Sequence, residues 1–135
     1  MFLSSYEALR AWLLDNKTFI TMAHLGPRAF GQISGEVVQT TAWVINNLHT
    51  ESYQPVFFRL IDGYEEQKQS DLIKKNNRFD NIVQNDFRKI PGAPISYWSS
   101  VADRHFFEEY PSISKDYMVR TGMQTGDNEK FLRFW

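Results

Sequence analysis

The chain has 135 residues, a length that suits one domain or one domain and the start of another. It is 42% hydrophobic and 16% aromatic, so it can bury a core, which argues against intrinsic disorder. The net charge of −1 argues against a protein that coats DNA by itself. The absence of cysteine excludes disulfides and thiolate metal sites. No apolar run reaches the roughly 18 residues of a membrane helix.

The first third of the chain has the pattern of one helix followed by two strands. Ser4 lies three residues before Glu7, the spacing of a capping box, and apolar residues then recur at helical intervals. In chain order, the predicted elements are a helix at residues 5–16, a strand at 17–25, a loop at 26–35 and a strand at 36–46. Because the loop GPRAFGQISG contains no helix, the two strands are expected to be antiparallel neighbours.

The rest of the chain alternates shorter elements with turn-forming segments. In chain order, the predicted elements are a strand at residues 55–62, a polar helix at 64–76, a strand or loop at 79–90, a helix at 95–110, a loop at 112–128 and a strand at 129–135. The third helix is expected to stop before Pro111, which cannot continue it. Tyr97 and Trp98 are expected to pack against the sheet.

The sequence shows no complete catalytic constellation. Its three histidines are scattered, and none has a carboxylate at the helix-face spacing of a metal site, so they are interpreted as surface or satisfied core residues. The segment FGQISG lacks the spacing of a glycine-rich phosphate loop, and a predicted strand follows it where such a loop would lead into a helix. The sequence therefore predicts no catalytic residue and no metal site.

Three segments are more specific than composition: AHLGPRAFGQISGEVVQTTAWVI, DFRKIPGAPISYWSS and GMQTGDNEKFLRFW. Together they resemble the large adenine-specific DNA methyltransferases of the PglX type, which belong to BREX phage-defence systems, and related restriction-modification enzymes. The resemblance covers nearly the whole chain, in order. It implies an α/β fold, a fragment of a doubly wound methyltransferase sheet, in which the predicted strands at 17–25 and 36–46 form the final antiparallel pair beside flanking helices.

The resemblance also implies a division of the chain and a place for it within a larger enzyme. Residues 1–110 would form the distal part of the catalytic domain and a connector, and residues 111–135 the start of a target-recognition region. The family's F-x-G-x-G cofactor loop and its N-P-P-Y motif are absent and are expected upstream of Met1. The missing N-terminal and C-terminal portions of the same protein are therefore expected partners.

The intact enzyme would transfer a methyl group from S-adenosylmethionine to the exocyclic amine of adenine in double-stranded DNA. The fragment alone is expected to be inactive, to bind no cofactor, and to form a homo-oligomer through an unpaired strand edge. A cytoplasmic location is expected, with no membrane partner. The alternative interpretation is a non-enzymatic specificity module that binds DNA or another protein.

The site residues that the resemblance implies lie on two loops. Phe30 would stack on an adenine that has been flipped out of the duplex, and the alternative is a ring folded onto its own core. Arg28 and Gln32 would contact phosphate or the orphaned partner base, or else are simply solvated. A second turn would meet a phosphate or merely precede a strand; its candidate DNA-binding residues are Thr125, Gly126, Asn128 and Lys130.

Overall fold

The structure is a computed structural model that describes residues 2–30 and 39–118, with the backbone alone described at Ser114. The helices are α1 (Glu7–Asn16), α2 (Glu65–Ile73) and α3 (Val101–Glu109), and the strands are β1 (Thr18–Gly26), β2 (Thr40–Asn46), β3 (Val56–Arg59) and β4 (Arg78–Phe79). Short 3₁₀ helices occur at Ser4–Tyr6, Gln84–Lys89 and Ile113–Lys115. Among the described helices, none is long and apolar enough to cross a bilayer.

The four strands form one mixed sheet in the order β2-β1-β3-β4. Strand β1 pairs with β2 in antiparallel fashion, as the sequence predicts, and with β3 in parallel fashion. Strand β2 lies at the edge of the sheet among the described residues. This mixed α/β architecture agrees with the predicted class. Of the proposed start of a recognition region at 111–135, residues 119–135 lie outside the described part, and with them the predicted strand at 129–135.

The position of the capping box differs from the sequence prediction. Ser4 lies within a 3₁₀ helix, and neither that helix nor α1 has a side-chain cap, so the capping box predicted at Ser4 and Glu7 is wrong. Helix α3 has one instead: the Ser100 hydroxyl accepts from the Asp103 N–H at 3.1 Å, and the Asp103 carboxylate accepts from the Ser100 N–H at 2.9 Å. The predicted helix at 95–110 therefore begins only at Val101.

An aromatic core lies on one face of the sheet. Phe57 of β3 stacks on Tyr97 with ring centroids 4.9 Å apart and planes 5° from parallel, and Phe87 meets Phe57 edge-on at 5.7 Å. Tyr97 is fully buried, which confirms its predicted packing, but Trp98 is 49% exposed, so its predicted burial is wrong. The buried hydrophobic cluster consists of Leu14, Phe19, Met22, Phe57, Ile82, Phe87, Ile95 and Tyr97.

Two buried polar side chains attach the N-terminal segment to the rest of the fold. The Arg10 guanidinium of α1 donates to the carbonyls of Gly92 (2.8 and 3.2 Å), Ala93 (3.1 Å) and Leu3 (2.5 Å). The Gln84 side chain plays a similar part where α1 ends, accepting from the Phe19 N–H at 2.7 Å and donating to backbone carbonyls of the preceding turn. Because buried polar groups are stable only when hydrogen-bonded, these contacts hold the N-terminal segment in place against the rest of the fold.

Candidate functional site

The candidate site lies where the two parallel strands end together. His24 of β1 is level with Arg59 of β3, and the Leu60 N–H donates to the His24 carbonyl at 2.8 Å. Ligand sites of α/β sheets form at the carboxyl ends of parallel strands, because loops with free backbone groups converge there. The loop that carries Arg28 and Phe30 leaves β1 at this edge.

Gly26 allows this loop to leave the strand. It has φ of +62°, and a Cβ at this position would lie 3.0–3.1 Å from Ile61 atoms, so both the conformation and the space require glycine. Arg28 also has a positive φ, of 59°, and its guanidinium lies over the Tyr64 ring at 5.2 Å. Phe30 follows with 54% of its surface exposed, so its ring is accessible on the loop and is not folded into the described core.

A buried lysine holds α2 beneath the same loop. Lys68 is only 4% exposed, and its ammonium donates at 2.7 Å to both the Leu25 carbonyl at the end of β1 and the Leu60 carbonyl after β3. Burial lowers the pKa of Lys68, the positive charge of Arg28 lowers it further, and Asp62 opposes both. Lys68 therefore fixes the base of the loop and adds positive charge behind it. A cavity of about 290 Å³ lies alongside, between the loop and α2, and is lined by Leu25, Ala29, Glu65, Lys68, Gln69 and Leu72.

Positive charge gathers at this edge although the chain as a whole carries a net charge of −1. Burial lowers the pKa of His24, and the charges of Arg59 and Lys68 lower it further, which shows that all three groups share one local field. Arg28 belongs to the same group, because its positive charge lowers the pKa of Lys68. Such a cluster favours an anion such as a phosphate group.

His24 and Tyr97 form a neutral pair behind the loop. The His24 Nδ1 lies 2.9 Å from the Tyr97 hydroxyl, and burial raises the pKa of Tyr97 to about 12 although the neighbouring Arg59 opposes this. The donor in this hydrogen bond is set by the tautomer of His24.

Beside His24 opens an aromatic pocket of about 580 Å³. Its lining includes Phe2, Tyr6, His24, Gln39, Thr41 and Trp98. Phe2 stacks on His24 with ring centroids 4.5 Å apart and meets Trp98 at 5.9 Å. The pocket and Phe30 thus flank the same strand end.

The structure brings two of the predicted site residues, Arg28 and Phe30, to this edge. The other predicted DNA-binding residues lie outside the described residues: Gln32, Thr125, Gly126, Asn128 and Lys130. Sequence reasoning missed the contributions of His24, Arg59 and Lys68. The parallel pairing of β1 with β3 would have pointed to Arg59, which lies within the predicted strand at 55–62 and ends β3, but no local signal marks Lys68 within a polar helix.

No group of three or more metal-ligating side chains occurs in the residues that the structure describes. The site offers cations, a neutral imidazole and exposed rings, which together suit a ligand with both phosphate and aromatic parts.

Two curated proteins match the chain along its whole length. The chain is 60% identical over 136 residues to the adenine-specific methyltransferase BrxX of Escherichia coli O9:H4 (strain HS), and 40% identical over 149 residues to the adenine-specific methyltransferase PglX of Lacticaseibacillus casei (strain Zhang). It spans only 11% and 12% of the length of these relatives. No protein-family model matches it.

Proposed function

We propose that this chain, which corresponds to one segment of the PglX-type adenine-specific methyltransferases, forms a DNA-facing part of such an enzyme. The whole enzyme would methylate the exocyclic amine of adenine in double-stranded DNA. The segment would supply the edge of the catalytic sheet and one wall of the pocket that receives the target base.

The accessibility of Phe30 carries this proposal. An adenine amine cannot be reached inside a duplex, so the base must be turned out and held against a flat surface. Phe30 offers such a surface on a loop whose base is fixed by Gly26 and by the two hydrogen bonds of Lys68. The ring is 54% exposed, in keeping with a partner that is not part of this chain.

The cationic edge supports the same proposal. A flipped nucleotide keeps its phosphates, and Arg28 carries a positive charge two residues before Phe30 on the same loop. Gln32 in the same loop would add a contact to phosphate or to the orphaned partner base. The turn at Thr125, Gly126, Asn128 and Lys130 would touch the backbone further along, where residues 111–135 would begin target recognition.

The methyl donor of the whole enzyme would be S-adenosylmethionine, which supplies an electrophilic methyl group when bound. The chain does not contain the F-x-G-x-G loop that the family uses to hold this cofactor. We therefore place cofactor binding outside this chain and expect calorimetry on the isolated chain to show no micromolar binding. The enzyme would act in the cytoplasm.

A hybrid enzyme tests the proposal. In the hybrid, this chain replaces the matching segment of the E. coli relative, and adenine methylation of duplex DNA is measured. The hybrid should methylate DNA, and Arg28→Gln should weaken DNA binding and reduce the slope of log affinity against log salt by about one. The matched control is Arg88→Gln, since Arg88 pairs with Asp15 on the surface away from the site.

Two results would contradict the proposal. One is a folded hybrid that binds the cofactor but does not methylate DNA. The other is an Arg28→Gln hybrid whose salt dependence equals that of Arg88→Gln. If the isolated chain binds DNA but the segment has no effect on methylation by the hybrid, the alternative of a non-enzymatic binding module is favoured.

A further inference from the structure

We propose that the aromatic pocket beside His24 binds the base of an unstacked nucleotide. The choice of a nucleotide, as opposed to another flat heteroaromatic compound, rests on the proposed function. Phe30 does not line this pocket, so the inference adds a base-binding position to the one proposed at the loop.

The size of the pocket and the composition of its lining fit a small flat ligand. Its volume of about 580 Å³ lies within the roughly 300–1,000 Å³ of typical small-molecule sites. Three of its walls are the rings of Phe2, Tyr6 and Trp98, and the last two are about half exposed. Large rings with free faces around a concave site favour stacking with another ring.

The polar groups of the lining suit a base edge better than a hydrocarbon. The Thr41 hydroxyl oxygen accepts from the Trp43 indole N–H at 2.8 Å, which leaves its own hydrogen to donate. Gln39 presents an amide that can donate and accept together, the pattern that matches the edge of adenine. His24 adds an imidazole ring whose Nδ1 is paired with the Tyr97 hydroxyl. Among the lining residues that the structure describes, none is a carboxylate.

The pocket is also held in shape by the core. His24 is fixed by its hydrogen bond to buried Tyr97, and Trp98 packs edge-on against the same ring at 4.9 Å. The opposite wall is fixed by Arg10, which binds the Leu3 carbonyl at 2.5 Å and the backbone at Gly92. A preformed site loses little conformational freedom when a ligand enters.

The test uses the 135-residue chain and a single-stranded oligonucleotide in which one 2-aminopurine is flanked by abasic positions. Stacking on an aromatic ring quenches the fluorescence of 2-aminopurine, so a titration reports a binding curve. The wild-type chain should quench it saturably. Trp98→Leu should weaken the affinity about 5- to 150-fold, the loss of one stacking contact.

Trp12→Leu is the matched control, because Trp12 is a half-exposed tryptophan on α1 that does not line the pocket. It should leave the affinity unchanged. Gln39→Leu is a second variant, and because Gln39 is exposed, the substitution should leave the fold intact. It should weaken the binding of 2-aminopurine but not that of a phenyl group in the same oligonucleotide. Circular dichroism melts verify that each variant is folded.

The proposal is overturned if quenching is absent or does not saturate, or if Trp98→Leu and Trp12→Leu weaken it equally. It is also overturned if the phenyl probe binds as well as the base and Gln39→Leu affects neither, since the pocket would then accept an apolar side chain. In the hybrid enzyme, Phe30 variants test the proposed function separately. Loss of methylation on changing Phe30, with no base binding in the pocket, would reject this inference alone.

Discussion

The His24 imidazole and the Tyr97 hydroxyl, 2.9 Å apart, join the loop end of β1 to the centre of the core. Tyr97 in turn stacks on Phe57 of β3 and is reached by the guanidinium of Arg59. One buried ring thus positions the imidazole, the neighbouring cation and the aromatic pocket. Substitutions at the carboxyl edge of the sheet should therefore change the free energy of unfolding.

The first prediction concerns pH. Burial and the charges of Arg59 and Lys68 lower the pKa of His24 below its ordinary value of 6.5. The unfolded chain therefore binds a proton before the folded chain does, and the stability present above pH 6.5 is lost as the pH falls from there through the lowered pKa. Urea unfolding at several pH values should show this loss. His24→Gln should remove most of it, whereas His49→Gln at an exposed loop position should not; equal profiles would contradict the account.

The second prediction concerns the lysine under the loop. Lys68→Met should lower the free energy of unfolding by roughly 1–3 kcal/mol, because the Leu25 and Leu60 carbonyls lose their donor while the cost of burying an ammonium is relieved. Chemical denaturation measures this difference. Lys74→Met, at an exposed position after the same helix, is the control and should change stability by less than about 0.5 kcal/mol. A Lys68 variant as stable as the control would show that the two hydrogen bonds of Lys68 do not stabilise the fold.

The third prediction compares two serines. Ser100→Ala should cost about 1 kcal/mol, because its hydroxyl caps α3, whereas Ser4→Ala should cost almost nothing, because no side chain caps the N-terminal helices. Thermal melts of the two variants provide the comparison. A larger loss for Ser4→Ala would restore the capping box that the sequence pattern indicates there.

These serines also show what the sequence could and could not predict. Helices α1 and α2, strands β1 and β3, and the antiparallel β1–β2 pair follow from hydrophobic periodicity and loop composition, which are local properties. The cap at Ser100 has a local signal, the Ser-x-x-Asp pattern that ends at Asp103, which the sequence prediction overlooked. The half-exposure of Trp98 and the hydrogen bonds of Lys68 depend on residues far apart in the chain, and no local pattern encodes them. At the site, Arg28 and Phe30 were found through family resemblance, whereas Arg59 is brought beside His24 by the parallel pairing of β1 with β3.

The fourth prediction concerns the outer edge of β2, which pairs with no further strand in the part of the chain that the structure describes. Val44 on this strand is 55% exposed, and unpaired edges with apolar side chains recruit further strands. The isolated chain is expected to form a dimer or a larger oligomer in light scattering, and Val44→Lys should shift it toward monomer by placing a charge on the edge. A monomeric wild-type chain at high concentration would contradict this expectation.

The most direct test of the central claim is the effect of Phe30 on methylation by the hybrid enzyme, measured together with the melting of the isolated chain. Phe30→Ala should slow methylation about 5- to 150-fold, the worth of one base-stacking contact, and Phe30→Trp should keep much of the rate because it also offers a flat ring. Melting should hardly change, since Phe30 is exposed. A loss of about 3–5 kcal/mol of stability in Phe30→Ala would assign the ring to the core, and unchanged methylation would remove it from the base pocket.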